Sequence, residues 1–162
     1  MYKALSFLSC FLFSALSAAT IANVEFQFPG SMQEWEMINE MKEEEMTGVL
    51  YSRLTDDGSE YFGVNSDHFS PDLPDAETLK EGLSFAYPDN QVDVSILEKN
   101  PNSVLYEWSI RDELQALIFG WGRVISTEKG NAALTYITGQ VDQIESLRPI
   151  WLKALKEAKF KN

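Results

Sequence analysis

The chain has a single histidine, His68, set in Asn65-Ser66-Asp67-His68-Phe69 beside the residue types of a Ser-His-Asp relay. Such a relay needs its nucleophile on a sharp, exposed turn, and no Gly-x-Ser-x-Gly context occurs. A solvated loop histidine accounts for the same residues. Zinc takes histidine and cysteine ligands, and His68 with the lone Cys10 leaves only carboxylates to complete a shell. Carboxylates are plentiful: Asp56, Asp57 and Glu60, then Asp72 and Asp75, then Asp89 and Asp93. None follows the Asp-x-Asp-x-Asp-Gly spacing of a calcium loop, and turn-forming aspartate explains them. Gly120-Trp121-Gly122 lies inside an apolar run rather than before a helix, so it is no phosphate cradle. Paired acids suited to glycoside hydrolysis occur in any acidic chain and discriminate nothing. A hydrolase working through His68 or a carboxylate pair stands as an alternative reading, and neither cofactor nor metal is expected.

The residues that would carry binding chemistry come from the C-terminal half. Asn100-Pro101-Asn102 reads as a turn, followed by strands over 104–110 and 117–126, a hairpin turn at Glu128-Lys129-Gly130-Asn131, and a strand over 132–138. With both hairpins closed tightly, Ile110 faces Ala116 and Thr127 faces Ala132. Period-two alternation then sorts the side chains. One face carries Val104, Tyr106, Trp108, Ile110, Ile118, Gly120, Gly122, Val124, Thr135 and Ile137. It is apolar and reads as core, with its glycines admitting the C-terminal helix and Trp151. The other carries Leu105, Glu107, Leu117, Phe119, Trp121, Arg123, Ile125, Leu134 and Tyr136. Aromatics with one acid and one base suit a binding surface, in which Glu107, Phe119, Trp121, Arg123 and Tyr136 form the site. The aromatics would supply apolar contact, and Arg123 would orient an anionic or carbonyl group. The competing reading is that other segments cover this face and pair its charges.

The elements positioning that face are legible in outline. Val24-Glu25-Phe26-Gln27-Phe28 alternates and ends at Pro29-Gly30, as a short strand does. Residues 34–41 read either way. Ser31 with Glu34 suggests a helix cap, while Trp35, Met37, Asn39 and Met41 alternate as in a strand. A hairpin to the strand Val49–Leu54, turning at Glu43-Glu44-Glu45, is the reading adopted. Asp75 caps a helix to about Phe85, with Leu79 and Leu83 on one face. Val92, Val94 and Ile96 alternate as a strand. Val141, Ile144, Leu147, Trp151, Leu155 and Ala158 repeat at helical spacing, with Pro149 in the first turn or at a kink. The expected fold class is α+β: an antiparallel sheet of about five to seven strands, covered on one face by a C-terminal and a middle helix.

Composition bounds the compartment and the partners. Lys3 precedes an apolar run from Ala4 to Leu16, closed by Ser17, Ala18 and Ala19, the layout of a secretory signal cleaved after Ala19. Residues 1–19 are then signal peptide and 20–162 one globular domain, extracytoplasmic and either periplasmic or secreted. A retained anchor would need about 20 apolar residues, and Ser6, Ser9, Ser14, Ser17, Thr20 and Asn23 interrupt this one. A lipoprotein signal at Cys10 would need its leucine one position earlier than Leu8. Losing the signal removes Cys10, so the mature domain has no disulfide and no thiol chemistry. The net charge of the full chain is −12. That repels phosphate backbones and anionic lipid, excluding nucleic acid and stable membrane insertion after cleavage. The partner expected is a protein or a small apolar or anionic ligand.

The stretch from Asn100 through Tyr106-Glu107-Trp108-Ser109-Ile110 resembles a segment of small exported proteins of gamma-proteobacteria, including Legionella-type bacteria. Arg123-Val124-Ile125, Gly130, Leu134-Thr135-Tyr136-Ile137-Thr138 and a helix holding Trp151 and Leu155 continue the pattern. The chain departs from it at Glu60-Tyr61-Phe62, where such proteins carry a tryptophan, and at Asp112-Glu113-Leu114, where they have a longer loop. The resemblance implies export and an α+β fold and brings no activity with it.

Overall fold

The computed structural model describes residues 18–44, 46–56, 58–67, 72–111, 117–128 and 130–160. In chain order the elements are β1 (Ala18–Ile21), β2 (Val24–Gln27), β3 (Glu36–Lys42), β4 (Met46–Thr55), β5 (Gly58–Asp67), α1 (Ala76–Ala86), β6 (Gln91–Asn100), β7 (Ser103–Arg111), β8 (Leu117–Thr127), β9 (Gly130–Thr138), α2 (Ile144–Glu157) and β10 (Lys159–Phe160). Seven strands form one antiparallel sheet in the order β3-β4-β5-β9-β8-β7-β6. A second, small sheet, β1-β2-β10, is hydrogen-bonded separately from it. This is the expected α+β class. No helix among the described residues is long and apolar enough to cross a membrane.

Turn chemistry explains the meander. Between β6 and β7, Asn100 pairs with Ser103 across Pro101-Asn102, and the Asn102 amide donates to Asn100 Oδ1 at 3.1 Å. Between β8 and β9, Thr127 pairs with Gly130, whose φ of 133° suits glycine. Between β1 and β2, Ala22 and Asn23 both have positive φ, 48° and 63°, as in the two-residue turns that match strand twist. Both C-terminal hairpins are two residues out from the tight closure expected: Ile110 pairs with Ile118, and Ser126 with Asn131. A shift of two preserves sidedness, so the two face lists stand.

The cover of those faces differs from expectation. The helices lie on opposite sides of the sheet. Leu79, Leu83 and Tyr87 of the α1 region pack on Val92, Val104, Tyr106, Trp108, Ile110 and Val124. Trp151, Ala154 and Leu155 of α2 pack with Leu105, Trp121, Leu134 and Tyr136 on the other face. The reason lies in β7 and β8, which are apolar in both parities: Val104 through Tyr106 are all buried, as are Gly120 through Gly122. A strand apolar on both sides needs a layer over each. Val24, Phe26 and Phe28 of the β2 segment complete the α2 side, with no solvent exposure.

Trp151 therefore does not sit over Gly120 and Gly122. Cross-strand aromatics occupy that space instead. Trp108 pairs with Gly120 and Tyr106 with Gly122. A Cβ on Gly120 would lie 2.2 Å from the Trp108 ring, and one on Gly122 2.3 Å from the Tyr106 ring. Glycine is required there because each ring occupies the space a Cβ would need.

The ambiguous segment combines both expectations. Ser31 Oγ accepts from the Gln33 amide at 3.2 Å and starts a single 3-10 turn, Met32–Glu34. The chain then becomes strand β3, paired with β4. As a sheet edge β3 is largely exposed, with Met37 and Ile38 half in solvent. Its bulge around Ile38 and its charged Glu36, Glu40 and Lys42 discourage further pairing. Asp75 caps α1 by accepting from the Thr78 amide at 2.8 Å. Pro149 lies inside α2, which continues past it without a break.

Candidate functional site

On the α2 face the register lays out side chains in rows. Ser95, Glu107, Trp121, Tyr136, Phe62 and Tyr51 are successive cross-strand neighbours from β6 to β4. The adjacent row runs Asp93, Ser109, Phe119, Thr138, Glu60 and Arg53. The central part of both rows lies under α2 and β2. Towards β6 the cover ends, and a cleft of about 280 Å³ opens between the sheet and the first turns of α2.

The cleft has an apolar and a polar end. Trp121 and Phe119 form the β8 wall, and Ile144 closes it from α2. Ser109 and Glu107 of β7, with Asp93 and Ser95 of β6, form the other end. Arg148 stands one helical turn beyond Ile144, so both point the same way. Its Nε donates to Glu107 Oε2 at 2.9 Å. Both side chains remain partly exposed, at 43% and 34%, so the pair contributes at most about 1 kcal/mol to stability. It does close one side of the cleft and hold the Glu107 carboxylate at its rim. Such an arrangement suits noncovalent recognition: an aromatic floor, two hydroxyls, two carboxylates and one guanidinium.

Of the five residues expected to form a binding surface, Glu107, Phe119 and Trp121 come together here. The face is not open as expected, because Trp121 is buried beneath α2 and only its edge of the sheet remains accessible. Arg123 and Tyr136 are engaged elsewhere. Arg123 Nη1 donates to the carbonyls of Leu155, Lys156 and Ala158 at 2.8, 2.5 and 3.1 Å, and Nη2 donates to Ser103 Oγ. A cation there satisfies unpaired carbonyls at the negative end of the α2 dipole. Burial lowers the Arg123 pKa, with Glu98 offsetting part of the effect. Arg123 therefore orients carbonyls, as its chemistry suggests, but those of its own chain, and it does not line this cleft.

Tyr136 lies fully buried between Trp151, stacked at 3.8 Å, and Trp121, stacked at 5.7 Å. Its hydroxyl donates to Oε1 of Glu60, a carboxylate with no solvent exposure. Arg53 binds the other oxygen at 2.5 Å, reaches Glu34 at 2.9 Å and lies 5.0 Å from the Trp35 ring centre. Burial, followed by the hydrogen bond and charge of Glu60, pushes the Tyr136 phenol far above the ordinary tyrosine range. For Arg53 burial opposes the charge, but Glu60 and Glu34 outweigh it and raise its pKa. The Tyr136–Glu60 end of this network is buried under the aromatic stack, while Arg53 and Glu34 reach solvent, and the whole reads as structural.

Sequence reasoning missed Arg148, Ile144, Asp93, Ser95 and Ser109. Strand parity alone places Ser109 with Glu107, and helical spacing links Ile144 to Arg148. Only the packing of α2 on this face brings the two sets together. His68 lies outside the described residues, as do Asp57, Asp112 and Glu113. Among the described residues no group of three or more His, Cys, Asp or Glu is arranged to hold a metal ion.

No protein-family model and no curated protein matches this sequence. Among solved structures, the chain is similar to cyanobacterial PsbP (CyanoP) from Synechocystis sp. PCC 6803, with 14% sequence identity and a TM-score of 0.60. The match covers 89% of this chain and 90% of the PsbP chain. At that identity the likeness is one of fold: this sheet, with helices on it, is the architecture the two proteins share.

Proposed function

We propose that the protein is an exported, non-enzymatic binding module that holds a small molecule or a partner's side chain in the cleft between β6–β8 and α2. The observation that carries this is the convergence of Trp121 and Phe119 with the Glu107–Arg148 pair. Binding sites combine an apolar wall with a few oriented polar groups, and this cleft does so at the low end of the usual volume range. The signal-like N-terminus and the acidic, cysteine-free composition after it support work outside the cytoplasm.

The test is a fragment screen by two-dimensional NMR on the chain starting at Thr20, using anionic, neutral and cationic aromatic fragments. Amide shifts should cluster at Ser95, Ser109, Phe119 and Arg148. Ser109→Trp, which fills the cleft, should erase them while the melting temperature holds. Shifts confined to other surfaces, or unaffected by the filled cleft, would reject this reading.

A second reading, an accessory subunit of an envelope complex, is favoured by a different feature. On the α1 side Leu50, Tyr61, Tyr87, Ile118 and Ile137 line an apolar hollow of about 330 Å³. Contiguous apolar surface of this kind is a common docking feature. Leu50→Glu should then release a co-purifying protein partner and leave cleft binding untouched. Retention of the partner by Leu50→Glu would remove this reading.

A further inference from the structure

We infer that the cleft selects a cation: an ammonium or guanidinium carried on an apolar stem. The inference rests on the proposed binding role and names the ligand class of that same site. The apolar end, Trp121 and Phe119, and the acidic end, Glu107 and Asp93, lie in neighbouring register rows. A ligand spanning them is apolar at one end and polar at the other. The sign of the polar end follows from the charges. Among the described residues that line the cleft, two carboxylates face one guanidinium, and that guanidinium is already paired to Glu107 at 2.9 Å. One negative charge is left over, on the β6 side, and the two serine hydroxyls between the acids can accept from a donor-rich head group. A chain of net charge −12 adds to the same field.

Alkyl amines are protonated at neutral pH, since their pKa lies near about 10. The rival is an anion, drawn by Arg148 and the N-terminal turn of α2. For that ligand Glu107 must first release Arg148, and Asp93 repels it. In a half-exposed cleft one net charge discriminates by roughly tenfold at low salt, and less as ionic strength rises. The ammonium could belong to a free amine or to a lysine side chain of a partner protein.

The experiment compares phenethylamine, phenylacetate and benzyl alcohol by NMR titration at neutral pH and low salt. It adds a blocked peptide, acetyl-Ala-Lys-Ala-amide, and its norleucine counterpart. Phenethylamine should shift the Ser95, Ser109 and Phe119 amides and bind about tenfold more tightly than phenylacetate. Asp93→Asn and Glu107→Gln should each weaken it several-fold. Arg148→Met should tighten it by freeing Glu107, an outcome that separates recognition from a structural role for the ion pair. Preference for the lysine peptide over norleucine assigns the ammonium to a partner's side chain; response to phenethylamine alone assigns it to a small molecule. Equal or tighter binding of phenylacetate, or loss of amine binding in Arg148→Met, overturns the cation assignment while leaving a binding site. Failure of every probe to shift these amides overturns the binding role itself.

Discussion

Tyr136 on β9 donates its hydroxyl hydrogen to Glu60 on β5, although 76 residues separate them in sequence. The strands are direct neighbours, and Glu60 sits opposite Thr138, one row from Tyr136. Arg53 completes the arrangement from β4, directly opposite Glu60. A carboxylate with no solvent contact is tolerable only because both oxygens are engaged. Tyr136→Phe should keep the fold and lose about 1–3 kcal/mol in urea denaturation, the cost of one unmet bond to a buried acceptor. Arg53→Met should cost more, about 3–5 kcal/mol, because it strands a buried charge. A reversed order would show that the phenol, rather than the guanidinium, is the main partner of the buried carboxylate.

The same network sets an alkaline limit. The folded-state pKa of Tyr136 lies above its unfolded value of about 10, chiefly through burial. Burial raises Tyr106 in the same direction. Between the unfolded and folded values the native chain holds more protons than the unfolded one, so stability falls as pH rises. The stabilisation is complete below about pH 10 and is lost above it. Spectrophotometric titration should show exposed tyrosines ionising first and the buried pair ionising only with unfolding. Ionisation of all tyrosines in one early step would contradict this.

Gly120 and the Trp108 ring form a second coupled pair. Gly120→Ala places a methyl where the indole now lies, 2.2 Å from its nearest atom. The ring lies against a paired strand, so the variant should lose about 1–3 kcal/mol. Trp108→Leu should remove most of the penalty of the alanine, and a double-mutant cycle in chemical denaturation would read that coupling. Additive losses would mean the ring can move aside.

Arg123→Ala tests whether that residue serves the fold or a ligand. It removes a cation hydrogen-bonded to three carbonyls at the end of α2. The expected cost is about 1–3 kcal/mol, with faster amide exchange through β10 and the last turn of α2. Full stability together with lost ligand binding would return Arg123 to the site.

Export predicts a mature mass beginning at Thr20. Cleavage after Ala19 divides β1 and leaves Thr20 and Ile21 to pair with Glu25 and Val24. Denaturing mass analysis of protein from the extracytoplasmic fraction of its host would check this. Recovery of the uncleaved chain, or of a lipid-modified Cys10, would show another route.

What local sequence determined, it determined through periodicity and turn chemistry. Asn100-Pro101-Asn102 and the Asp75 cap are short-range signals that formed the expected turn and helix start, while the hairpin expected to turn over Glu128–Asn131 pairs Thr127 with Gly130 and Ser126 with Asn131. The two faces of β7–β9 were also legible, because side chains alternate with a period of two. An error of two residues in each hairpin moved Glu107 from Phe119 to Trp121 as its partner and left every residue on its own side.

Which layer covers which face was decided only by the tertiary structure. β7 and β8 are apolar on both sides, and the apolar stripe of α2, from Ile144 to Leu155, carries no mark of which side it will meet. Once α2 packs over Trp121 and Tyr136, that face becomes core, Arg123 becomes a helix cap, and Arg148 arrives beside Glu107. The Glu60 network needs β9 to become the neighbour of the β4–β5 hairpin, with 76 residues between Glu60 and Tyr136. Local propensity acts over a few residues, whereas burial is a property of the assembled layers, so the cleft exists only in the folded chain.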